Sequence, residues 1–452
     1  MTLEVLMNIR LSDHFTYRKL LLLTLSSIVM MIFTSIYGVV DGFFVSNFAG
    51  KTPFAAVNFI MPFLMILGTL GFMFGAGGSA LVSKTMGEGD NERANRYFSL
   101  FIYVSIVLGV IIAALGIIFL PAVASLLGAE GQMLDDCVLY GRIILTALPA
   151  FILQMEFQTF FITAEKPQLG LYVTVAAGVA NMVLDLLLVG VIPLGLIGAA
   201  AATGVSQCIG GLVPLVYFAR KNTSLLRLTK TNFDGRALLK CCTNGSSELM
   251  SNISMSLVGM LYNIQLLKYA GENGVAAYGV LMYVSMIFAG AFIGYSIGTA
   301  PVIGYHYGAQ NHGELKSLLR KSTLLIGVFS VAMVILSELL AYPLSLLFVG
   351  YDAALLELTA DAFVIYSFSF MFMGFAIFGS SFFTALNDGL TSALISFLRT
   401  LVFQIAAVLL LPALFGVDGI WWSIVVAEVM AVAVSVVFIL IKNRKYMYLW
   451  LT

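Results

Sequence analysis

Charge is scarce in this sequence. Its 452 residues include only 23 basic and 23 acidic side chains, 10% of the total, and they cancel to a formal net charge of zero. Too little charge is present to cover a soluble surface, and a zero balance leaves no electrostatic footprint for nucleic acid. Cysteine is rarer still. Cys137, Cys208, Cys241 and Cys242 form no CxxC pair, and His14, His306 and His312 do not complete a metal-ligand spacing with them, so free thiols and solvated imidazoles are expected. No HExxH, GxSxG or Asp-rich metal motif lies on any apolar run, and no filter-like loop repeats. The chain is therefore expected to be neither an enzyme nor a channel, and to need no cofactor.

Apolar length is what the sequence has in abundance: 60% of residues are hydrophobic and the mean hydropathy is +1.01. That combination describes a polytopic, all-α membrane protein. Runs long enough to cross a hydrocarbon core of about 30 Å fall at about 20–48, 54–83, 97–120, 136–163, 169–191, 195–219, 241–269, 275–305, 321–343, 355–385, 390–413 and 418–441. Twelve spans are thus expected. The first, from Leu20 to Val40, is too long for a signal-peptide core and lacks a clear cleavage site, so it reads as a retained helix.

Basic residues fall almost entirely between alternate spans. Arg10, Arg18, Lys19, Lys84, Arg93, Arg96, Lys166, Arg220, Lys221, Arg227, Lys230, Arg236, Lys240, Lys316, Arg320, Lys321, Lys442, Arg444 and Lys445 share one side, and only Lys51 and Lys268 share the other. By the positive-inside rule both termini are cytoplasmic; the expected location is the plasma (inner) membrane. Arg142 and Arg399 lie within spans.

A repeat runs through the chain. At an offset of 221, Ala49-Gly50 matches Ala270-Gly271, Gly77 matches Gly298, Gly87 matches Gly308, Thr163-Ala164 matches Thr384-Ala385, and Gly195 and Gly198 match Gly416 and Gly419. Two parallel six-helix lobes, residues 1–219 and 237–452, are expected around a central cleft, with 220–236 as a cytoplasmic linker.

Ionisable groups inside the spans then locate a site. A carboxylate in hydrocarbon needs a partner, a cation or water. Asp41 on the first span, Asp185 on the fifth and Thr203 on the sixth lie about six to eight residues from the outer ends of their helices. At 1.5 Å per residue they share one depth. Asn181 precedes Asp185 by four residues and shares its helix face. Tyr37, one turn before Asp41, and Tyr140 on the fourth span are placed to donate to the carboxylates. Two carboxylates, an amide and a hydroxyl suit a small hard cation such as Na⁺, or protons. The same groups can alternatively serve as a polar network that holds helices together. The repeat weighs against that, because Asp41, Asn181 and Asp185 map to Tyr262, Val402 and Ala406 in the second half.

For the cleft, Glu156 and Glu428 are candidate acids to attract organic cations. Met61, Met65, Met282 and Met286 are candidate repacking surfaces, against the simpler reading of lipid-facing bulk.

Taken together, the run Val40-Asp41-Gly42-Phe43-Phe44-Val45, the run Gly77-Gly78-Ser79-Ala80-Leu81-Val82-Ser83 leading into Met86-Gly87-Glu88-Gly89-Asp90, the Asn181 to Asp185 segment and Pro301 to Ala309 resemble the multidrug and toxic compound extrusion (MATE) transporters over nearly the whole chain. The resemblance implies an antiporter that exports organic cations and drugs in exchange for Na⁺ or H⁺ by rocking two lobes, working in membrane lipid as a monomer. It also implies a cation-coupling site at the positions of Asp41, Asn181, Asp185 and Thr203, with Tyr37 and Tyr140 beside it. Two departures stand out. Ser26-Ser27 occupy the region where the family often has a proline, and Glu248 sits too early in helix 7, with no acid in the middle of helix 10, to match a carboxyl-lobe cation site. A lipid-linked sugar flippase of the same superfamily is the alternative, but its cleft needs several basic residues and only Arg142 and Arg399 are available.

Overall fold

The computed structural model describes residues 9–45, 48, 51–350 and 352–449; the Ala49-Gly50 member of the repeat lies outside them. All regular structure among them is helical. The first half comprises α1 (Tyr17–Phe44), α2 (Lys51–Gly87), α3 (Asn91–Leu126), α4 (Gly131–Thr163), α5 (Pro167–Asp185, continued by a π-helical turn, Leu186–Val191) and α6 (Gly195–Ala219). Helix starts are set by short polar caps: Thr16 accepts from the Lys19 amide, Asp90 from that of Arg93, and Asp234 from those of Arg236 and Ala237.

Two unbroken-looking helices in the second half are too long for any bilayer. Gly235–Gly308 has 74 residues and contains a non-helical glycine, Gly271, with φ 63° and ψ −155°. The run from Gly389 to Tyr446 has 58 residues and contains Gly416, with φ 61° and ψ −137°. Both chains reverse at these glycines, since only a residue without a Cβ takes that conformation cheaply. Contacts across each turn prove the reversal: Tyr262 stacks on Tyr278 with ring centroids 5.3 Å apart, and Tyr446 Oη donates to Asp388 Oδ2 at 2.9 Å, joining the two ends of the second run. We therefore label residues 235–270 α7, 272–308 α8, His312–Val349 α9, Ala353–Ser367 with Ser369–Ala385 α10, 389–415 α11 and 417–446 α12. The two pieces of α10 meet at 45°. By length and hydropathy nine helical runs among the described residues, each reversed run counted once, can cross a membrane, or ten with the bent α10.

The halves meet along glycines. A Cβ on Gly77 would lie 2.0 Å from the Cys241 carbonyl oxygen, and one on Gly245 1.9 Å from that of Met73, so α2 and α7 touch backbone to backbone. Antiparallel to this, α1 runs along α8: Gly298 packs on Thr24, Gly294 on Ile28 and Gly290 on Met31, and Ser35 Oγ donates to the Met286 carbonyl at 3.3 Å. Beyond Ser35 the helices part, and a Cβ on Gly38 or Gly42 would meet nothing within 4 Å. The end that carries the basic segments is further tied by the irregular segment before α1. Glu314 on α9 accepts from the Phe15 amide at 2.9 Å and pairs with His14 at 2.6 Å, and Glu165 accepts from the Leu11 amide at 2.6 Å. The halves are closed at the basic end and open at the other.

Candidate functional site

Asp41 lies on α1 just past the point where α1 and α8 separate. Thr203 of α6 donates to its Oδ1 at 3.4 Å, and Asn181 and Asp185 of α5 stand beside it within reach of the carboxyl group. Tyr37 lies one turn earlier on α1, and its ring approaches α5 at Gly178, where a Cβ would come within 2.8 Å of it. Tyr140 of α4 faces the same carboxylates and Thr203. All six coupling residues expected from the sequence are thus brought together by α1, α4, α5 and α6.

Their hydrogen bonding is incomplete. Asp185 is 0% exposed, yet neither carboxylate oxygen has a hydrogen-bond partner; Asn181 Nδ2 and Tyr140 Oη are buried and unpartnered too. Buried polar atoms are rarely left so, and each costs about 1–3 kcal/mol. The two unpaired carboxylate oxygens of Asp185, standing beside Asp41, are the acceptors that a cation or proton site requires. Asp185 is also the last residue of regular α-helix before the π-helical turn Leu186–Val191. Such wide turns re-aim side chains and concentrate at functional sites. The donor set of two carboxylates, an amide and hydroxyls fits Na⁺ or protons. No cluster of three or more His, Cys, Asp or Glu able to hold a metal ion occurs among the described residues.

Two neighbours escaped the sequence reading. Gln154 of α4 is buried, interacts with Tyr37, and has neither amide atom satisfied; Gln207 of α6, one turn after Thr203, is buried with its Oε1 unpartnered. The signal was present in both cases: an amide in an apolar span, 14 residues from Tyr140 in one and four from Thr203 in the other, on the same helix faces.

The equivalent place in the second half is closed and neutral. Tyr262, at the Asp41 position, donates to Gln404 Oε1 at 2.8 Å and stacks flat on Tyr278.

The expected cleft acids are corrected by the structure. Glu156 is 0% exposed, sealed in the amino half with Ser105 Oγ donating to it at 2.9 Å. Glu428 is 2% exposed and clamped by Arg399, whose Nε and Nη2 donate at 2.9–3.1 Å. Neither acid presents free charge to the cleft: one was read as cleft-facing from depth alone, and the other's partner lies 29 residues away on a different helix. Among the methionines, Met286 is exposed at the mouth where the halves part and Met65 is exposed. Met61 and Met282 instead are partly buried against the hydrophobic core. Cys137 is buried, with Sγ 3.5 Å from the Ala56 carbonyl, and His306 is buried rather than solvated. All four cysteines are free.

The family model MatE matches this chain twice, over residues 26–187 and 249–410, so the internal repeat and the family match coincide. Relatives include the multidrug export protein MepA of Staphylococcus saprophyticus, 25% identical over 92% of this chain and 93% of that protein, and MepA of Staphylococcus aureus, 24% identical over 95% and 94%. Among solved structures, a MATE protein in complex with MaL6 superposes with a TM-score of 0.89 at 21% identity, covering 99% of this chain and 98% of that one. An outward-facing multidrug resistance MATE transporter gives 0.88 at 23% identity, covering 98% of each chain.

Proposed function

This chain belongs to the MatE family, and from that premise we propose that it is a secondary antiporter of the plasma membrane that exports organic cations and drugs in exchange for Na⁺ or H⁺. The observation that carries the coupling assignment is the cluster of Asp41, Asp185, Asn181, Thr203, Tyr37 and Tyr140 in the amino half alone, set against the satisfied Tyr262–Gln404 pair in the other. Two carboxylates side by side in low dielectric cannot both stay ionised and unpaired, so the site holds a cation or at least one proton.

Occupancy shifts a conformational equilibrium only if it favours one state. Here the site lies where α1 leaves α8, so changes in how α1, α5 and α6 pack around a bound cation act on the helix that forms the seam. The two reversals at Gly271 and Gly416, with α10 as one bent span, support twelve crossings, two lobes of six joined by residues 220–236, and both termini on the cytoplasmic side where basic residues collect. The closed basic end and open opposite end then correspond to an outward-open state. Its cleft lacks the several free basic residues that a flippase for an anionic lipid headgroup needs, because Arg399 is spent on Glu428. The relatives' export activity supports drugs as cargo.

The test is efflux of a fluorescent cationic dye from proteoliposomes of the purified chain under a Na⁺ or a pH gradient imposed separately. Export driven by one gradient identifies the ion, whereas no export under either overturns the antiporter reading.

A further inference from the structure

On the basic side of the fold, where α2 ends, α3 begins and the linker enters α7, lies a cavity of about 380 Å³, at the low end of the range for small-ligand sites, roughly 300–1,000 Å³. Four cations line it: Lys84 and Arg93 from the first half, Lys240 from the second, and Arg236 where the linker enters α7. Its two acids are largely committed. Glu88 sits 3.4 Å from Lys84, and Asp234 Oδ1 caps α7 by accepting from the Arg236 and Ala237 amides at 3.0 Å each. That leaves Arg93, Arg236 and Lys240 without an ion-pair partner among the described residues. Like charges gathered in a half-enclosed cavity repel, and the repulsion is relieved by an anion.

The cavity is built rather than incidental. Tyr97 Oη, on a buried ring, accepts from Arg93 Nε at 2.7 Å and so orients the guanidinium, leaving its other donors free for a forked contact. The linker wall is pinned to α3, with Asn95 Oδ1 accepting from the Arg227 amide at 2.7 Å and Ser99 Oγ from the Thr229 amide at 2.8 Å. Lys84 itself sits at the glycine seam, its carbonyl packed against Gly308.

We propose that this cavity is a binding site for a phosphate-bearing anion bridging the two halves at their closed end. Arg93 and Lys84 hold it from one half, Lys240 from the other and Arg236 from where the linker enters α7, so the anion favours the arrangement in which that seam is shut. Two sources supply this chemistry: a soluble phosphate compound, and the headgroup of an anionic lipid at the cytoplasmic surface. The effect on the seam rests on the alternating-access reading above, whereas the binding does not.

Binding is read as the shift in melting temperature of the full chain, which does not depend on transport and so can fail or succeed apart from the antiporter reading. One arm titrates inorganic phosphate in detergent against chloride at matched ionic strength; the other compares nanodiscs of phosphatidylcholine with and without phosphatidylglycerol. Stabilisation by phosphate alone assigns a soluble anion, by phosphatidylglycerol alone a lipid headgroup, and by both a site open to either. In each supporting case Arg236→Gln combined with Lys240→Gln, both at exposed positions, weakens the response by about tenfold, while without anion the variant melts no lower than the wild type because two repelling charges are gone. Lys230→Gln, outside the cavity, leaves the response intact. No stabilisation in either arm, or an equal response in the double variant, overturns the site.

Discussion

Gly87 and Gly308 occupy equivalent positions in the two halves and each lies against the other's helix: a Cβ on Gly87 would stand 2.0 Å from the Tyr305 carbonyl oxygen, and one on Gly308 2.0 Å from that of Lys84. The contact between Gly77 and Gly245 has the same reciprocal form, reproduced by Gly298 on Thr24. The repeat in the sequence is therefore a repeat in the seam.

Gly308→Ala places a methyl group inside a carbonyl at a backbone contact that no rotamer change relieves. We expect about 1–3 kcal/mol of overpacking strain in the closed-seam state. Since the strain vanishes when the halves part, export slows and Cys241, buried under the seam, gains reactivity toward maleimide. Wild-type export with an unreactive Cys241 refutes this.

Asp41→Asn or Asp185→Asn keeps side-chain shape and removes charge. Gradient-driven export falls by at least about tenfold, the loss of some 1.4 kcal/mol of differential binding, while the protein still reaches the membrane and retains part of its dye binding. Tyr262→Phe exports normally, because its hydroxyl serves only Gln404. Wild-type rates for the Asp variants under both gradients end the coupling assignment.

How much of this site was legible depended on spacing. Asp41, Asn181, Asp185 and Thr203 stand out because a polar atom in an apolar run is rare and helical rise converts its position to depth. What spacing could not supply was azimuth. Glu156 and Glu428 have suitable depths, but one points into the α3–α4 contact and the other at Arg399, and such pairings across helices leave no periodic trace. The π-helical turn after Asp185 was equally hidden, since Leu186 to Val191 reads as ordinary apolar helix.

Glu428→Gln therefore acts on stability rather than on charge selection. It strands Arg399, 15% exposed, without its bidentate partner, and costs about 3–5 kcal/mol, whereas Arg399→Leu combined with Glu428→Leu recovers most of that loss. Transport of cationic and neutral dyes by the folded fraction falls together; a selective loss for cations would restore the acid to the cleft.

Asp388, in the connection before α11, links the two ends of the second reversed run. Burial raises its carboxyl pKa, but hydrogen bonds from Tyr446, Lys442 and Thr391 outweigh that and hold it below its ordinary value. A depressed folded pKa means stability present above the unfolded value, about 4, and lost as pH falls through the folded one. Melting temperature should drop on acidification below that point in the wild type, and less so in Asp388→Asn. Parallel acid profiles for the two proteins contradict this.

The neutral Tyr262–Gln404 pair also sets an electrical limit. If coupling rests on Asp41 and Asp185 as proposed, with the Tyr262–Gln404 contact taking no part, a cycle moves at most two elementary charges through the site. Each charge is worth about 2.3 kcal/mol per 100 mV of membrane potential. The electrical share of the cargo gradient is then set by those two side chains less the charge of the cargo itself, so a neutral drug gains more from the membrane potential than a monocation.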